Sequence, residues 1–584
     1  MPTLDWIGKN KVINHHQDVP YHVLVRQYSF DEDGKHAEDN GSGNMIIHGD
    51  NLAALKSLLP RFEGKVKCIY IDPPYNTGNE GWVYNDNVND PRIKKWLGEV
   101  VGKEGEDLSR HDKWLCMMYP RLKLLYKLLD ENGVIFISID DTECATLKLV
   151  CDEIFGVNCF VSNISWQRTY STRNDSKGIV NEVEHILAYS KSPGWQPNKL
   201  PRTEAMNSIY KNPDNDVAPW TSDNPCAPGA ATHQGMVYAI QHPFTGELLY
   251  PSMSACWRYH QDTMLEIMSG WAKYELKDLH DAERRAAICG KSSNEVREGV
   301  LGIVLAEPLE DAQKHAEAVL EQGPWPRFYF TKKGKGGIRR KTYLENVGGK
   351  LPTNLWLYED TGHTDEAKKE LKAIFAGATP FDTPKPSRLI EYLLQVAGSE
   401  NTLILDSFAG SATTAHAVLN KNKEDGGERK FILIELGDYA ESVTAERVKR
   451  VIKGYTKGNK AVEGTGGSFS FYELGERLLT EEHDLNEAVE VEHIRAYIWY
   501  METRTDMPME GNGNPHYLGT HNATAYYFYY EKESVTTLNH AFLATIPKRE
   551  ESTVIYADRC TLAPQELDKH GITFKKIPRD ITKL

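Results

Sequence analysis

Residues Ile69–Asn79 read IYIDPPYNTGN. The apolar, strand-like run Val66–Ile71 ends in Asp72, Pro73, Pro74 and Tyr75. Neither proline donates a backbone hydrogen bond and both have a fixed φ, so the turn is stiff. Pro73 also drives Asp72 towards extended backbone. A carboxylate, a proline carbonyl and an aromatic ring are thereby held together at a strand end. That set suits the capture of a planar exocyclic amine, with oxygens for its hydrogens and a ring face for the heterocycle. A proline-rich turn that only caps a buried strand is the competing reading.

Outward from this turn the chain alternates strands and helices. On the N-terminal side, Asn44–Asp50 is a short apolar strand ending in an acid, and Asn51–Leu59 has helical spacing with Asp50 or Asn51 as cap. On the C-terminal side, Asn76–Ser109 has poor periodicity and reads as a long functional or mobile loop. Asp112–Leu129 is an amphipathic helix, Val134–Ile139 a buried strand, Thr142–Phe155 a helix, and Val161–Trp166 and His185–Tyr189 two further strands. Such alternation indicates a parallel α/β sheet.

The pattern changes near Ser192. From there to Phe375 the chain carries Pro, Gly, Trp and Asn at irregular spacing, with one helical insert near Asp281–Leu320. The α/β pattern returns at Thr383, with a helix over Pro384–Val396 and strands over Thr402–Leu405 and Phe431–Ile434. Gly454–Gly467 reads as a linker, and the tail as a small α/β domain. The expected organisation is an arm over 1–43, an α/β domain in two parts over 44–192 and 376–468, an inserted module over 193–375, and a C-terminal domain over 469–584.

The chain has 584 residues and a formal net charge of -15. An acidic total argues against nucleic acid, but DNA binding needs only a local basic surface. One candidate is KKGKGGIRRK, where Lys332, Lys333, Lys335, Arg339, Arg340 and Lys341 cluster among glycines. A solvated loop is the plain alternative. The nine cysteines form no CxxC pair, which fits a reducing compartment without structural zinc. The start MPTLDWIGKN lacks the apolar segment of a secretory signal, and no apolar run is long enough to span a bilayer.

A second stretch bears on chemistry. Ile404–Ala417, ILDSFAGSATTAHA, reads as a strand, a glycine turn and a helix start, and the next strand ends in Glu435. Turn amides and a helix N-terminus favour anionic groups, and a glycine admits close approach. An acid ending the second strand suits the two hydroxyls of a ribose. GxGxxG is absent. The only Gly-Lys-Ser, Gly290–Ser292, has Arg285 where a phosphate-binding loop needs its first glycine, which disfavours a nucleotide-driven motor. No nuclease-like carboxylate–lysine cluster stands out.

With both stretches in hand, the chain resembles amino-methyltransferases that use S-adenosylmethionine. Asp72–Tyr75 matches their motif IV and Asp406–Ser411 their motif I, in permuted order with a large module between. That order is similar to the β class of DNA adenine-N6 methyltransferases, and more closely to the modification (Mod) subunit of type III restriction–modification systems. HGDNLAAL (48–55), VIFISIDDTE (134–143), NEVEHILAYSK (181–191), YKNPDND (210–216), TPKPSRLI (383–390), YLGT (517–520) and IYADRC (555–560) fit the same pattern. Ser407 departs from the proline commoner at that place.

The resemblance implies a Rossmann-like, circularly permuted methyltransferase fold with an inserted target-recognition domain. It implies transfer of a methyl group from S-adenosylmethionine to the N6 amine of an adenine flipped out of double-stranded DNA. Asp72, Pro73, Pro74 and Tyr75 are then the catalytic set. Asp406, Phe408, Gly410, Ser411, Glu435, Asp50, Lys385 and Pro386 are the cofactor set, and no metal is expected. The basic run would touch DNA phosphates, and Asn212, Asn215, Arg339 and Arg340 are chemically able to reach bases. A homodimer, an ATP-dependent restriction subunit as partner, and a prokaryotic cytoplasm follow from the resemblance alone. Two alternatives stay open: a cytosine-N4 methyltransferase, in which Ser is usual where Asp72 stands, and a non-catalytic DNA-reading subunit.

Overall fold

The computed structural model describes residues 4–77, 91–102, 110–171, 179–505, 507–508, 511–547 and 550–579. It divides into two compact units, one made of residues 1–198 and 352–584 and the other of residues 199–351.

The larger unit is built on one mixed sheet. Its strands are β1 (His22–Phe30), β2 (Lys35–His36), β3 (Met45–His48), β4 (Val66–Ile71), β5 (Leu129–Ile139), β6 (Phe160–Gln167), β7 (Val183–Ser190), β8 (Leu355–Trp356), β9 (Leu403–Asp406), β10 (Lys430–Glu435) and β11 (Phe469–Arg477). Their spatial order is β8-β6-β7-β5-β4-β9-β10-β3-β11-β1-β2. The run β5-β4-β9-β10-β3-β11 is parallel throughout, and β7 and β1 join its two sides antiparallel. Central strands are apolar on both faces, as a sheet covered on both sides requires, and Ile69, Ile71, Leu405, Ile432 and Ile434 are fully buried.

The helices that matter to the site are α1 (Asn51–Phe62), α2 (Pro91–Val100), α3 (Arg110–Leu128), α4 (Cys144–Phe155), α5 (Ser387–Ala397), α6 (Thr413–Asp425) and α7 (Glu446–Lys453). β4 stops at Asp72 because two prolines follow. β9 pairs with β4 in parallel, Leu405 opposite Ile69. That pairing brings the strand ends at Asp72 and Asp406 side by side, although the chain between them is over 300 residues long. The junction of neighbouring parallel strands is where α/β sheets place ligand crevices.

Several expectations change. Residues 22–30 are not part of a free arm: β1 pairs with β11 along its length, and Trp6 and Val12 are buried in the core. The same pairing moves Phe469–Arg477 out of the tail and into the main sheet. The expected loop over 76–109 contains α2, while residues 78–90 and 103–109 lie outside the described residues. Gly454–Gly467 contains a small hairpin, Gly454–Lys457 with Lys460–Glu463. The tail carries a four-stranded sheet of Tyr517–His521, Thr524–Phe528, Ser552–Ala557 and Ile572–Lys576.

The second unit has a four-stranded sheet and a three-stranded one around an aromatic core of Trp220, Trp257, Trp271, Phe328 and Phe330. The observed unit starts at Lys199 and ends at Leu351, a narrower span than 193–375. Ser387 lies on α5, while β8 and the helix Thr364–Ile374 belong to the larger unit.

Candidate active site

Asp72 sits at the end of β4 and is only 8% exposed. The Tyr75 hydroxyl donates to Asp72 Oδ1 at 2.8 Å, and Lys385 Nζ donates to Asp72 Oδ2 at 2.6 Å. Glu184, on β7, completes the group. Tyr75 also reaches Glu184 Oε2 at 3.2 Å, Lys385 Nζ lies 3.8 Å from that oxygen, and Arg168 Nη1 donates to Glu184 Oε1 at 2.8 Å. The Pro74 carbonyl accepts from Trp114 Nε1 at 2.6 Å, which pins the turn onto α3. Among the described residues the Pro73 carbonyl accepts no hydrogen bond.

Burial raises the Asp72 pKa, and the Lys385 ammonium beside it opposes the rise. Burial alone would lower Lys385, but Asp72 and Glu184 outweigh it and hold it above its ordinary value. The two shifts describe one ion pair. The Tyr75 hydroxyl is pushed far up by burial and by both carboxylates, so it stays protonated and donates.

The glycine loop lies next to this group. Asp406 closes β9; its Oδ1 accepts from the Phe408 amide at 3.0 Å and its Oδ2 from the Thr414 hydroxyl at 2.6 Å. Glu435 closes β10 and is fully enclosed, its two oxygens accepting from the Gly410 and Gly437 amides at 2.7 Å each. Burial pushes Asp406 up to about 7 and Glu435 up to about 8. Neither forms an ion pair among the described residues, and the Ser407 hydroxyl is buried without a hydrogen-bond partner among them. Gly410 has φ +51, and a Cβ there would stand 3.0 Å from the Phe381 ring, so the turn needs glycine. Phe408 is buried beside Asp406, and Ser411 Oγ accepts from the enclosed Arg447 at 3.1 Å.

Other members of the expected cofactor set take different positions. Asp50 caps α1, accepting from the Ala53 amide at 2.9 Å. Its neighbour Asn51 donates to the Ser407 carbonyl at 3.2 Å, so the corner nonetheless borders the glycine loop. Pro386 is the N-cap residue of α5. Lys385 belongs with the Asp72 group through its ammonium and borders the loop only through its carbonyl, which accepts from Thr413 at 3.1 Å.

The basic run forms the turn and second strand of a hairpin, Phe328–Phe330 with Ile338–Tyr343. Lys332, Lys333, Lys335 and Arg339 are exposed there. Arg340 is half-buried and paired with Asp223. Lys341 is fully buried and cannot touch DNA: its ammonium is held by Asp214, by Asp216 at 2.5 Å and by the Trp325 carbonyl at 2.7 Å. Asn212 brackets Asp216 through both its side-chain atoms, and Asn215 has φ +54, so YKNPDND is a structural turn around that lysine.

Sequence reasoning passed over Glu184 and Arg168 as site residues. The available signal was an acid inside the apolar strand EVEHILAYS, which a half-buried strand would place outward and a functional one inward.

Residues 66–446 match the family model for DNA methylases of the N6 and N4 type. Over 446 residues, 74% of this chain, it is 32% identical to the StyLTI type III restriction–modification enzyme Mod subunit of Salmonella typhimurium. It is 29% identical to the EcoP15I type III Mod subunit of Escherichia coli over 75% of this chain. The chain spans 57% and 64% of the length of these two relatives. It is also 28% identical to the type II methyltransferase M.KpnI of Klebsiella pneumoniae, over 70% of this chain and 85% of that one. The matched stretch spans Asp72 and Asp406 with the turns that follow them, and the chain belongs to the DNA methylase family.

Proposed function

We propose that this protein transfers a methyl group from S-adenosylmethionine to the N6 amine of adenine in double-stranded DNA, as the modification subunit of a type III restriction–modification system. The carrying observation is the buried Asp72, held by Tyr75 and Lys385 one strand away from the Asp406–Gly410 turn. The Mod names of the relatives support the type III reading.

The loop around Gly410 suits a cationic nucleoside. It offers two buried carboxylates with no ion-pair partner among the described residues, a buried hydroxyl without a partner among them, and a turn that only glycine fits. Asp406, Ser407 and Gly410 would hold the cofactor. Glu435, when ionised, would take the ribose on the lone pairs that the two glycine amides leave, since a carboxylate has about four. S-Adenosylmethionine, when bound, supplies a methyl group already activated on a sulfonium.

The chain's own part is to hold the nucleophile. Asp72 and the Pro73 carbonyl accept the two amine hydrogens, which draws the nitrogen lone pair out of conjugation with the ring. As N6 becomes cationic, the Asp72 charge stabilises it in a buried site, where such an interaction is strong. Tyr75 lends a ring edge or face to the adenine, worth about 1–3 kcal/mol if the two stack. An adenine inside a duplex must leave the stack to reach this depth.

The unit of residues 199–351 is the target-recognition domain in this proposal, with Lys332, Lys333, Lys335 and Arg339 on phosphates. The active species is a homodimer that also binds a restriction subunit, in the cytoplasm of a prokaryotic cell.

Labelled S-adenosylmethionine and unmethylated genomic DNA test the reaction, with the modified base identified after digestion. N6-methyladenine is expected. Recovery of N4-methylcytosine, or of no label, overturns the proposal.

A further inference from the structure

We infer that Lys385 is a positioning residue for Asp72, with Glu184 as its second counter-ion, and that this buried triad keeps Asp72 ionised and oriented for the substrate amine. The inference rests on the methyltransferase reading of the site and gives Lys385 a role apart from the cofactor set.

Four charged side chains from four places in the chain meet here: Asp72 after β4, Arg168 after β6, Glu184 on β7 and Lys385 before α5. Asp72, Glu184 and Lys385 are each less than a tenth exposed. Their charges balance, two acids against two bases. Lys385 Nζ touches Asp72 Oδ2 at 2.6 Å and stands 3.8 Å from Glu184 Oε2, and it lies over the Tyr75 ring 5.0 Å from its centroid. One ammonium thus contacts three groups of the site. Its backbone is anchored as well, since the Lys385 carbonyl accepts from Thr413 at the start of α6.

The chemistry demands such a device. A neutral carboxylic acid would present one acceptor oxygen and one hydroxyl to an amine. An ionised carboxylate presents only acceptors. Burial disfavours the ionised form, and an adjacent cation restores it. With Tyr75 and Lys385 using one lone pair on each oxygen, Asp72 keeps acceptor capacity for the amine. Asp72 is faced by Tyr70 on its own strand, Tyr75 on its own turn, Glu184 from β7, Lys385 from the α5 entry and Asp406 from β9. Lys385 is the only cation in direct contact with it among the described residues. Arg168 acts on the far side of Glu184.

The test uses the full-length chain with Lys385→Met, Lys385→Arg and Glu184→Gln. Methyl transfer to unmethylated genomic DNA is followed across pH 6–10, and S-adenosylhomocysteine binding is measured by calorimetry. In Lys385→Met the acid limb of the rate profile should move up by about one pH unit or more. The rate near pH 7 should fall about tenfold or more and recover partly at high pH, as expected when an essential base loses its counter-ion. Lys385→Arg should return the limb towards its original position, and Glu184→Gln should move it the other way by a smaller amount. S-Adenosylhomocysteine affinity should change less than about threefold. An unchanged limb, or loss of S-adenosylhomocysteine binding as the main defect, overturns the inference.

A thermal arm needs no activity. Lys385→Met should lower Tm at pH 8, and adding Asp72→Asn should restore it, because the orphaned buried anion is then gone. No rescue by Asp72→Asn overturns the triad. If wild-type protein transfers no methyl group while this rescue holds, the proposed reaction fails and the ion-pair inference stands.

Discussion

Two lysines of this protein are buried on pairs of carboxylates, and their surroundings differ. Lys341, in the unit of residues 199–351, lies between Asp214 and Asp216. There every partner is already used: Trp220 Nε1 and the Trp325 amide donate to Asp214 at 2.8 Å each, and Tyr343 donates to Asp216 at 2.7 Å. Lys385 lies between Asp72 and Glu184 at the mouth of two parallel strands, where Asp72 has acceptor capacity left and the Pro73 carbonyl has no partner among the described residues. A saturated buried ion pair holds structure. One with spare valence at a strand end can still accept from a further donor.

That contrast can be broken experimentally. Lys341→Met leaves Asp214 and Asp216 buried without their cation, and breaking such a pair costs about 3–5 kcal/mol. Denaturant unfolding should show that loss, with no change in the salt dependence of DNA binding beyond what unfolding explains. A stable Lys341→Met with altered DNA affinity would return this lysine to the DNA surface.

Asp72→Asn swaps one acceptor oxygen for a donor. Methyl transfer should fall on the order of 10²–10³-fold, the usual size for removing one preorganised electrostatic group. S-Adenosylhomocysteine binding should stay within a few-fold by calorimetry. Weakened binding of similar size would mean that Asp72 belongs to the cofactor loop.

Asp406 provides the counter-case of a buried acid with no cation in contact among the described residues. Its pKa rises on folding from 3.8 to about 7, so the folded state binds a proton more tightly than the unfolded chain. Stability attributable to it is therefore full below pH 3.8 and is lost as pH rises through about 7. Asp406→Asn keeps an acceptor for the Phe408 amide and offers the Thr414 hydroxyl a donor. It should raise stability at pH 8 by about 2–4 kcal/mol and leave it nearly unchanged near pH 4. Melting curves at the two pH values check the sign, and equal shifts at both would remove the buried charge as the cause.

The smallest effect concerns the exposed turn. Neutralising Lys332, Lys333, Lys335 and Arg339 together should reduce the slope of log K against log salt by about 0.9 for each DNA phosphate that these side chains neutralise. Fold stability should stay within about 0.5 kcal/mol, as for ordinary surface changes. An unchanged slope would leave these side chains as solvated charge.

Much of the site is legible from short stretches. Asp72–Tyr75 and Asp406–Gly410 each carry a strand, a breaker and a turn within a dozen residues, so local stereochemistry alone places an acid at each strand end. The partners of these acids are not legible in that way. Lys385 contacts Asp72 across 313 positions of sequence, and Tyr75 meets Glu184 across 109. Nothing in the periodicity around Lys385 or Lys341 distinguishes a buried ammonium from a surface one. Both sit in polar, proline- or glycine-rich surroundings that read as exposed. β1 was hidden for a related reason: a strand at the sheet's flank is half-polar, and only its pairing with β11 identifies it.

By itself, then, the sequence determined the strand-end turns, the two acids, the glycine that the loop requires and the parallel α/β class, because those rest on φ restrictions and on hydrophobic period within one segment. The tertiary structure decided which charges neutralise which. It set β4 beside β9, turned the Lys385 ammonium onto Asp72 rather than onto the Gly410 loop, and withdrew Lys341 from the surface. Ion pairing in a dry interior depends on distances between segments remote in the chain, and those distances exist only once the sheet has formed.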